Sequence, residues 1–399
     1  MSQPATFPPP SLAAPGEAAA RPRVLAIDVV RGLAMVLMAI DHIREFWCPT
    51  PMRPEDVAQV SPALFLTRWI THFCAPTFVF LAGVSIFLYQ QKQPGRGAVS
   101  RFLLTRGLWL VVVELVVINF LLQWGYPLLV LEVIWALGCS MVLLAGAIWL
   151  PRWLLASLAL ALIFGQHLLP TIQPVAANHL GWALLYDSPF LFPMRPVPVL
   201  AAYTILPWAA VMAAGYVAGP WFGAPPALRT RWLRLAGGAA LLFFAGLRAT
   251  NWYGDPSPWS GQPRGAGYTM LSFLNVTKYP PSLLFLSLTL GGTLVLLALA
   301  GRLPGRLSRW LSTYGRVPLF YFVLHFCLIS GGAYVWTRLA FGQAINLSFA
   351  SIKDWPAGYH PSLLRLYVVW VCVVASMYWP CRWYQGYKQR HSHWWLSYL

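Results

Sequence analysis

The stretch RVLAIDVVRGLAMVLMAIDHIREFW, residues 23–47, decides how the rest of the chain is interpreted. It is long and apolar enough to cross a bilayer as one helix, since a span needs roughly 20 predominantly apolar residues. Yet it also contains Asp28, Arg31, Asp41 and His42. Ionisable side chains inside a bilayer are costly, and they usually face a partner or a cavity. The stretch therefore predicts a membrane-spanning helix with an inward-facing polar side.

The composition of the whole chain indicates a membrane protein. Of its 399 residues, 58% are hydrophobic and only 10% are charged, whereas a soluble domain carries roughly 25% charged residues. The net charge of +17 does not predict nucleic-acid binding, because the basic residues fall between apolar runs and form no basic domain. Six cysteines are scattered singly without a C-x-x-C pair, which predicts buried thiols and no metal site.

Ten apolar segments are long enough to be spans, so the sequence predicts an all-α polytopic membrane bundle of about ten helices. These segments are residues 24–47, 64–90, 101–124, 127–150, 152–170, 198–219, 231–249, 280–300, 314–339 and 361–385. The preceding residues 1–22 are rich in Pro and Ala, which predicts a disordered tail. Residues 23–399 are then one transmembrane domain.

Lys and Arg are concentrated in alternate connections between these segments, for example in residues 92–106 and 302–316. By the positive-inside rule these connections face the cytoplasm, so both termini are predicted to be cytoplasmic. The connections 171–197, 250–279 and 340–360 then lie outside. Their Pro, Gly and Trp residues predict ordered caps over an outward-facing cavity.

The polar residues of the first span form two groups. Asp28 and Arg31 are three residues apart and share a helix face near its start; they are either a structural ion pair or a contact for an anionic cofactor. His42 lies 14 residues after Asp28, about 21 Å along a helix, in the outer half of the membrane. It is a candidate general base, with a buried structural imidazole as the alternative. Asp41 is a candidate catalytic residue that would orient and stabilise the His42 imidazole. Because adjacent helical residues point about 100° apart, Arg44 and Glu45, which follow one turn later, are alternative partners for Asp41.

Two further histidines are predicted at middle to outer depths. His72 enters the second span from outside, and His325 lies near the middle of the ninth. Each is a candidate catalytic residue or a structural one. Glu114 and Glu132 are intramembrane carboxylates that are interpreted first as structural, with Glu132 as a further candidate for substrate binding.

A polar cluster opens the eighth span in the sequence LNVTKYPPSLLFL, residues 274–286. Asn275, Lys278 and Tyr279 meet the outer surface of the membrane there. They are candidates for binding a substrate hydroxyl or carboxylate. Alternatively, they anchor the helix at the membrane–water interface.

Four motifs together resemble one family. They are the opening stretch, THFCAPTFVFLAGVSIFLY at 71–89, LNVTKYPPSLLFL at 274–286 and YGRVPLFYFVLH at 314–325. The chain resembles bacterial membrane proteins similar to the catalytic domain of heparan-alpha-glucosaminide N-acetyltransferase, from about residue 23 to its C-terminal end. Matching positions are Asp28, Arg31 and Gly32 of D-x-x-R-G; Pro76, Phe78, Phe80, Gly83 and Ser85 of P-x-F-x-F-x-x-G-x-S; and His325 of Y-x-x-x-H.

The resemblance implies acyl transfer across a bacterial inner membrane. Acetyl-CoA would be used from the cytoplasm, and the acceptor would be a sugar amine or hydroxyl, free or on a lipid, on the far side. Asp28 and Arg31 would mark the donor entrance. The basic residues that would bind the CoA phosphates, or serve only as topology signals, are Arg31, Lys92, Arg96, Arg101 and Arg106. The family places its proposed active-site His in the first outer loop, but residues 48–61 contain no His. His42 and His72 flank that loop.

Two other functions stay open on the sequence alone. A proton-coupled transporter or flippase of a polar lipid or small anion would use Asp41, His42 and Glu132 as a relay. The sequence shows no matching pair of Gly/Pro-broken helices, the usual sign of a transport site. A structural membrane subunit, alone or in an oligomer, would use the polar groups only to join helices.

Overall fold

The computed structural model describes residues 24–169, 180–186, 189–393 and 396, and this part of the chain is mostly helical. Its α-helices are α1 (Leu25–Trp47), α2 (Pro62–Trp69), α3 (Cys74–Gln90), α4 (Arg96–Val112), α5 (Asn119–Gln123), α6 (Val133–Ala147), α7 (Arg152–Gly165), α8 (Leu180–Leu185), α9 (Ile205–Gly223), α10 (Pro226–Thr250), α11 (Ala266–Leu274), α12 (Leu283–Leu299), α13 (Gly305–Gly315), α14 (Pro318–Phe341) and α15 (Leu363–Arg390). The predicted tail, residues 1–22, lies outside the described residues, as does part of the predicted cap 171–197.

Seven helical stretches within the described residues are long and apolar enough to cross a membrane. They are Pro62–Gln90, Arg96–Gln123, Ile205–Gly223, Pro226–Thr250, Leu283–Arg302, Pro318–Phe341 and Leu363–Arg390. Helix α1 is as long as these but carries five charged residues, and α6 and α7 are shorter apolar helices. The structure thus supports an integral membrane helix bundle. The count of ten spans and the inside location of both termini stay predictions.

Glycines let several helices touch backbone to backbone. A Cβ atom on Gly32 of α1 would lie 1.9 Å from the carbonyl oxygen of Leu311 in α13, and one on Gly83 of α3 would lie 2.0 Å from that of Met212 in α9. No side chain fits at either crossing, and small residues at such contacts are typical of membrane helices. The glycines of the D-x-x-R-G and P-x-F-x-F-x-x-G motifs are therefore packing requirements.

Long connections meet at one end of the bundle. The Asn275 side chain donates to the Glu55 carbonyl oxygen at 2.9 Å, Arg264 donates to that of Val60 at 2.8 Å, and the Tyr359 hydroxyl donates to that of Pro49 at 2.7 Å. We call this end, covered by residues 48–61, 251–282 and 342–362, the capped end. The opposite end, where α1, α4, α10 and α14 begin, is called the basic end.

The cap segment 251–282 is held by a buried arginine. Arg248, in the last turn of α10, is 1% exposed. Its guanidinium donates to the carbonyl oxygens of Ser257 at 2.7 Å and Asn275 at 2.6 Å. Asp255, 3.8 Å from the same guanidinium, accepts the Ser282 hydroxyl at 2.6 Å. These bonds fix both ends of the turn that carries the predicted substrate-binding cluster.

A small sheet is the one departure from the all-α prediction within the described residues. Strands β1 (Leu129–Leu131), β2 (Phe190–Phe192) and β3 (Val199–Ala201) lie in the order β1-β3-β2, with β1 parallel and β2 antiparallel to β3. The predicted fourth span, residues 127–150, thus begins with a strand. The Asn119 side chain bonds both the N–H and the carbonyl oxygen of Val130. A short apolar run alone does not distinguish strand from helix.

Candidate functional site

Two cavities of different character meet inside the bundle. The large cavity, about 510 Å³, extends from the basic end and is lined by α1, α3, α4, α6, α14 and the end of α15. The small cavity, about 50 Å³, lies toward the capped end between α1, α3, α6 and the turn after α11. Phe78 of α3 and Val133 of α6 line both cavities. These two side chains therefore form the boundary between them.

A histidine pair borders the small cavity. The Nδ1 atom of His42 lies 2.6 Å from Nε2 of His325, and Nδ1 of His325 lies 2.5 Å from the Phe322 carbonyl oxygen. A carbonyl oxygen can only accept, so the proton of His325 is assigned to Nδ1. His325 Nε2 then accepts from His42 Nδ1–H. The remaining ring nitrogen of His42, Nε2, is left with a lone pair.

The two rings of this pair are held by aromatic side chains. His42 stacks on Phe326 with ring centroids 4.4 Å apart, and His325 stacks on Tyr321 at 5.3 Å. His325 is completely buried, whereas His42 lines the small cavity. The arrangement presents one imidazole to the cavity and uses the other to fix its orientation and tautomer.

The third predicted histidine, His72, lies apart from this pair. It is 3% exposed, is not among the residues that line the small cavity, and its ring packs against Phe285 at 5.5 Å. Its Nδ1 atom has no hydrogen-bond partner among the described residues. The short 3₁₀ turn Ile70–Phe73 that carries it precedes Pro76, whose missing N–H cannot bond the carbonyl oxygen four residues earlier.

Asp41 belongs to an ion-pair cluster. One carboxylate oxygen accepts from Arg44 at 3.0 Å, and the other accepts from Arg68 of α2. Arg68 also donates to Glu55 at 2.7 Å. The structure thus gives Asp41 two arginine partners and no hydrogen bond to His42, although Asp41 lines the small cavity. The cluster fixes α1 against α2 and the first loop of the capped end.

Two carboxylates complete the polar wall of the small cavity. Glu45 lies three residues after His42, on the same helix face, and bonds Arg44 at 3.1 Å. Glu132, at the start of α6, also lines the cavity, and its backbone N–H donates to Glu114 at 2.9 Å. Glu114 is fully buried in the π-helical turn Val113–Ile118; such turns often occur at functional sites.

The turn after α11 contributes cationic and phenolic groups. Lys278 and Tyr279 line the small cavity, and the Lys278 ammonium lies 4.9 Å from the Tyr279 ring centroid and 5.7 Å from that of Tyr203. Of the predicted substrate-binding cluster, Asn275 lies elsewhere, since its side chain joins two cap segments. Tyr203 faces the cavity as well. It was not predicted, because only the fold brings residue 203 beside residue 279.

Three cationic side chains line the large cavity. Arg31 donates to the Ser85 hydroxyl at 2.8 Å and lies 4.0 Å from Asp28, and Arg106 and Lys388 also line the cavity. Lys388 was not predicted as a site residue, since a basic residue near a helix end is typical of topology signals. The predicted Arg101 is exposed and does not line the cavity.

Asp28 is shared between two arginines at the start of this cavity wall. Arg31 lies on one side of its carboxylate, and Arg316 donates to the other oxygen at 3.4 Å. Asp28 is 2% exposed and is not a lining residue of the large cavity. Asp28 is therefore placed to orient the Arg31 side chain, which lines the cavity.

Comparison with known proteins gives one family. The sequence model described as heparan-alpha-glucosaminide N-acetyltransferase, catalytic, matches residues 23–253, more than half of the 399 residues. The comparison with curated proteins finds no match. The matched range includes His42 and ends before Lys278 and His325, so it is shorter than the resemblance predicted from the motifs. By this match, the chain belongs to the family of the heparan-alpha-glucosaminide N-acetyltransferase catalytic domain.

Proposed function

We propose that this protein transfers an acetyl group from acetyl-CoA in the large cavity to a saccharide acceptor at the capped end, whose reacting amine or hydroxyl enters the small cavity, with His42 as general base. The observation that carries the proposal is the meeting of the two cavities at Phe78 and Val133, with His42 on the wall of the small one. Family membership supports a membrane acetyltransferase. The basic end would face the cytoplasm of a bacterial inner membrane.

The large cavity fits a donor of the CoA type. Arg31, Arg106 and Lys388 supply the positive charge that phosphates require. Most other lining residues are apolar, which suits a long flexible arm with a thioester at its end. Arg31 and His42 are eleven residues apart on α1, about 16 Å along the axis. An elongated donor with phosphates at one end and a reactive carbonyl at the other can therefore connect them.

The small cavity supplies the base. An acceptor amine or hydroxyl that attacks a thioester carbonyl must lose a proton, and the lone pair on His42 Nε2 can take it. The resulting imidazolium keeps its Nδ1–H bond to His325. A bond from the acceptor nitrogen or oxygen to the acyl carbon forms, the carbon–sulfur bond breaks, and the proton held by His42 can pass to the leaving sulfur. A positioned base of this kind contributes about a hundred- to ten-thousandfold in rate.

The other polar groups of the small cavity would place the acceptor and the developing charge. Lys278 and Tyr279 offer hydrogen-bond donors toward an oxyanion. Glu45 and Glu132 offer acceptors for the hydroxyl or ammonium groups of a sugar. Their position at the capped end agrees with an acceptor that arrives from outside.

Donor binding is tested with the detergent-purified protein. Thermal unfolding is followed during titration with acetyl-CoA and with CoA, in the wild type and in Arg31→Gln. A ligand at 100 times its Kd stabilises the fold by about 2.7 kcal/mol, and the stabilisation should weaken in Arg31→Gln. Arg101→Gln is the matched control, because Arg101 is an arginine of the same helix as Arg106 but lies outside the cavity.

Two outcomes would overturn the proposal. Unchanged melting at millimolar acetyl-CoA would remove the donor site. Uptake of a polar solute or lipid into vesicles that contain the protein, without a CoA requirement, would favour the proton-coupled transporter or flippase. For that alternative, the relay would have to proceed without a free Asp41 carboxylate, since both its oxygens accept from arginines.

A further inference from the structure

A groove on the outer surface of the bundle lies between α10 and the end of α12. Only 22% of the most apolar 18-residue stretch of α10 is buried, so most of that stretch faces the surroundings of the bundle. It contacts α12 closely at Gly237, where an added Cβ would lie 2.9 Å from the Gly291 carbonyl oxygen. On the basic-end side of this contact the two helices leave a groove of about 640 Å³.

Three arginines line this groove. Arg231 and Arg234 are three residues apart on one face of α10, and Arg302 ends the 3₁₀ turn Ala300–Arg302 that follows α12. All three are exposed, and no salt bridge to any of them is found within the described residues. Among the described residues at the basic end, Asp28 is the one acidic side chain, and it pairs with Arg31 and Arg316. Within the described residues, therefore, no carboxylate balances the charge of the groove.

The remaining lining points to a ligand that is both anionic and apolar. Leu235 and Ala298 lie in the groove beside the arginines, and Leu235 is 61% exposed. Further along α10 the surface is apolar, with Leu242 76% exposed. A phosphate ion would satisfy the guanidinium groups and leave this apolar surface in water. A phospholipid satisfies both, and basic pockets between membrane helices are typical binding sites for anionic headgroups.

We propose that the α10/α12 groove binds the headgroup of an anionic phospholipid in the leaflet at the basic end. The phosphate diester would be held by Arg231, Arg234 and Arg302, whose planar guanidinium groups suit bidentate phosphate contacts. The acyl chains would lie along the exposed leucines of α10. The site is independent of the two inner cavities and of the proposed acetyl transfer.

The test uses the full chain in mixed micelles. Thermal unfolding is measured with increasing dioleoyl-phosphatidylglycerol, with dioleoyl-phosphatidylcholine, and with inorganic phosphate at equal phosphate concentration. We expect a saturable rise in Tm with phosphatidylglycerol only. The triple variant Arg231→Gln, Arg234→Gln and Arg302→Gln should need about a hundredfold more of this lipid, since each arginine near a membrane surface contributes about fivefold.

A second triple variant controls for total charge. Arg229→Gln, Arg306→Gln and Arg309→Gln remove the same charge around the same end of the bundle, but these residues do not line the groove. This variant should respond like the wild type, and the single variant Arg234→Gln should give an intermediate loss. Equal stabilisation by phosphatidylcholine, full stabilisation by inorganic phosphate, or equal losses in the two triple variants would each overturn the proposal.

Discussion

The two inner cavities share a wall but differ in how the chain builds them. The large cavity is mainly apolar, and its three cations lie on three helices toward the basic end. The small cavity is polar, and its groups are tied to each other through the histidine pair and the ion pairs of Arg44 and Arg68. One helix, α1, lines both cavities and therefore carries a region suited to binding charge and, further along the chain, a region suited to proton transfer. If this division is correct, single substitutions should affect the two cavities separately.

Replacement of His42 should separate the functions of the two cavities most clearly. In His42→Gln we expect acetyl transfer to fall by about a hundred- to ten-thousandfold, while stabilisation by acetyl-CoA is retained. The reason is that the small cavity loses its base and the large cavity keeps its cations. Transfer rates and donor titrations on the same preparation measure both. His72→Gln is the control, and normal transfer by His42→Gln would remove the assignment of the base.

His325 is a positioning residue in this scheme, and its replacements should differ in a defined way. His325→Leu removes the acceptor for His42 Nδ1–H, so we expect kcat to fall by about a hundredfold, as for a misplaced catalytic group. His325→Gln keeps an acceptor oxygen and should retain more activity. The KM for acetyl-CoA should stay unchanged in both variants. Equal kcat values for the two variants would indicate that His325 acts only through packing.

Phe78 should determine how strictly the cavities are separated. Phe78→Ala removes the aromatic part of the shared wall, so we expect transfer of butyryl relative to acetyl groups to rise by about tenfold, the size of effect that one or two methylenes produce in a pocket. Rates with acetyl-CoA and butyryl-CoA measure the ratio. Ile86→Ala is the matched control, because Ile86 lines only the large cavity. An unchanged ratio in Phe78→Ala would place the boundary elsewhere.

The smallest effect concerns the ion pairs behind the small cavity. Burial alone would raise the pKa of Glu55, but the Arg68 guanidinium lowers it below its usual value. A carboxyl group with a lowered folded-state pKa stabilises the fold above its unfolded-state pKa, and this contribution is lost as pH falls through the folded-state pKa. Glu55→Gln should thus reduce stability at neutral pH by up to about 1 kcal/mol.

Thermal unfolding at several pH values measures this difference. The gap between wild type and Glu55→Gln should close as the solution becomes acidic. A gap that is constant with pH would mean that Glu55 stabilises the loop through its shape and not through its charge.

Much of the fold was predictable because membrane spans leave a strong local signal. The predicted segment 314–339 corresponds to α14 at Pro318–Phe341, and 361–385 overlaps α15 at Leu363–Arg390. The three-stranded sheet was not predicted, because its pairing of β1 with β3 depends on segments about 70 residues apart. Its strands are three residues long, too short for a periodic pattern.

The sequence predicted which residues line the site better than it predicted which of them contact each other. The sequence identified His42, Glu132, Lys278 and Tyr279, and the structure places all four on the small cavity. Of the alternative partners that the sequence left open for Asp41, the structure shows an ion pair with Arg44. The contact between His42 and His325 joins residues 283 positions apart, and no local pattern carries that information. Glu45 was considered only as a partner of Asp41, although its spacing of three residues from His42 also predicts a place beside that imidazole.

The backbone contact between Gly32 and the Gly315 region sets the register of the histidine pair. His42 lies ten residues after Gly32, and His325 lies ten residues after Gly315. Both segments run from the basic end toward the capped end, so they start at one crossing and bring their imidazoles to the same level. One residue inserted between Gly32 and His42 would turn that imidazole by about 100° and displace it by about 1.5 Å along α1. The length of these two segments is therefore as much a part of the site as the histidines themselves.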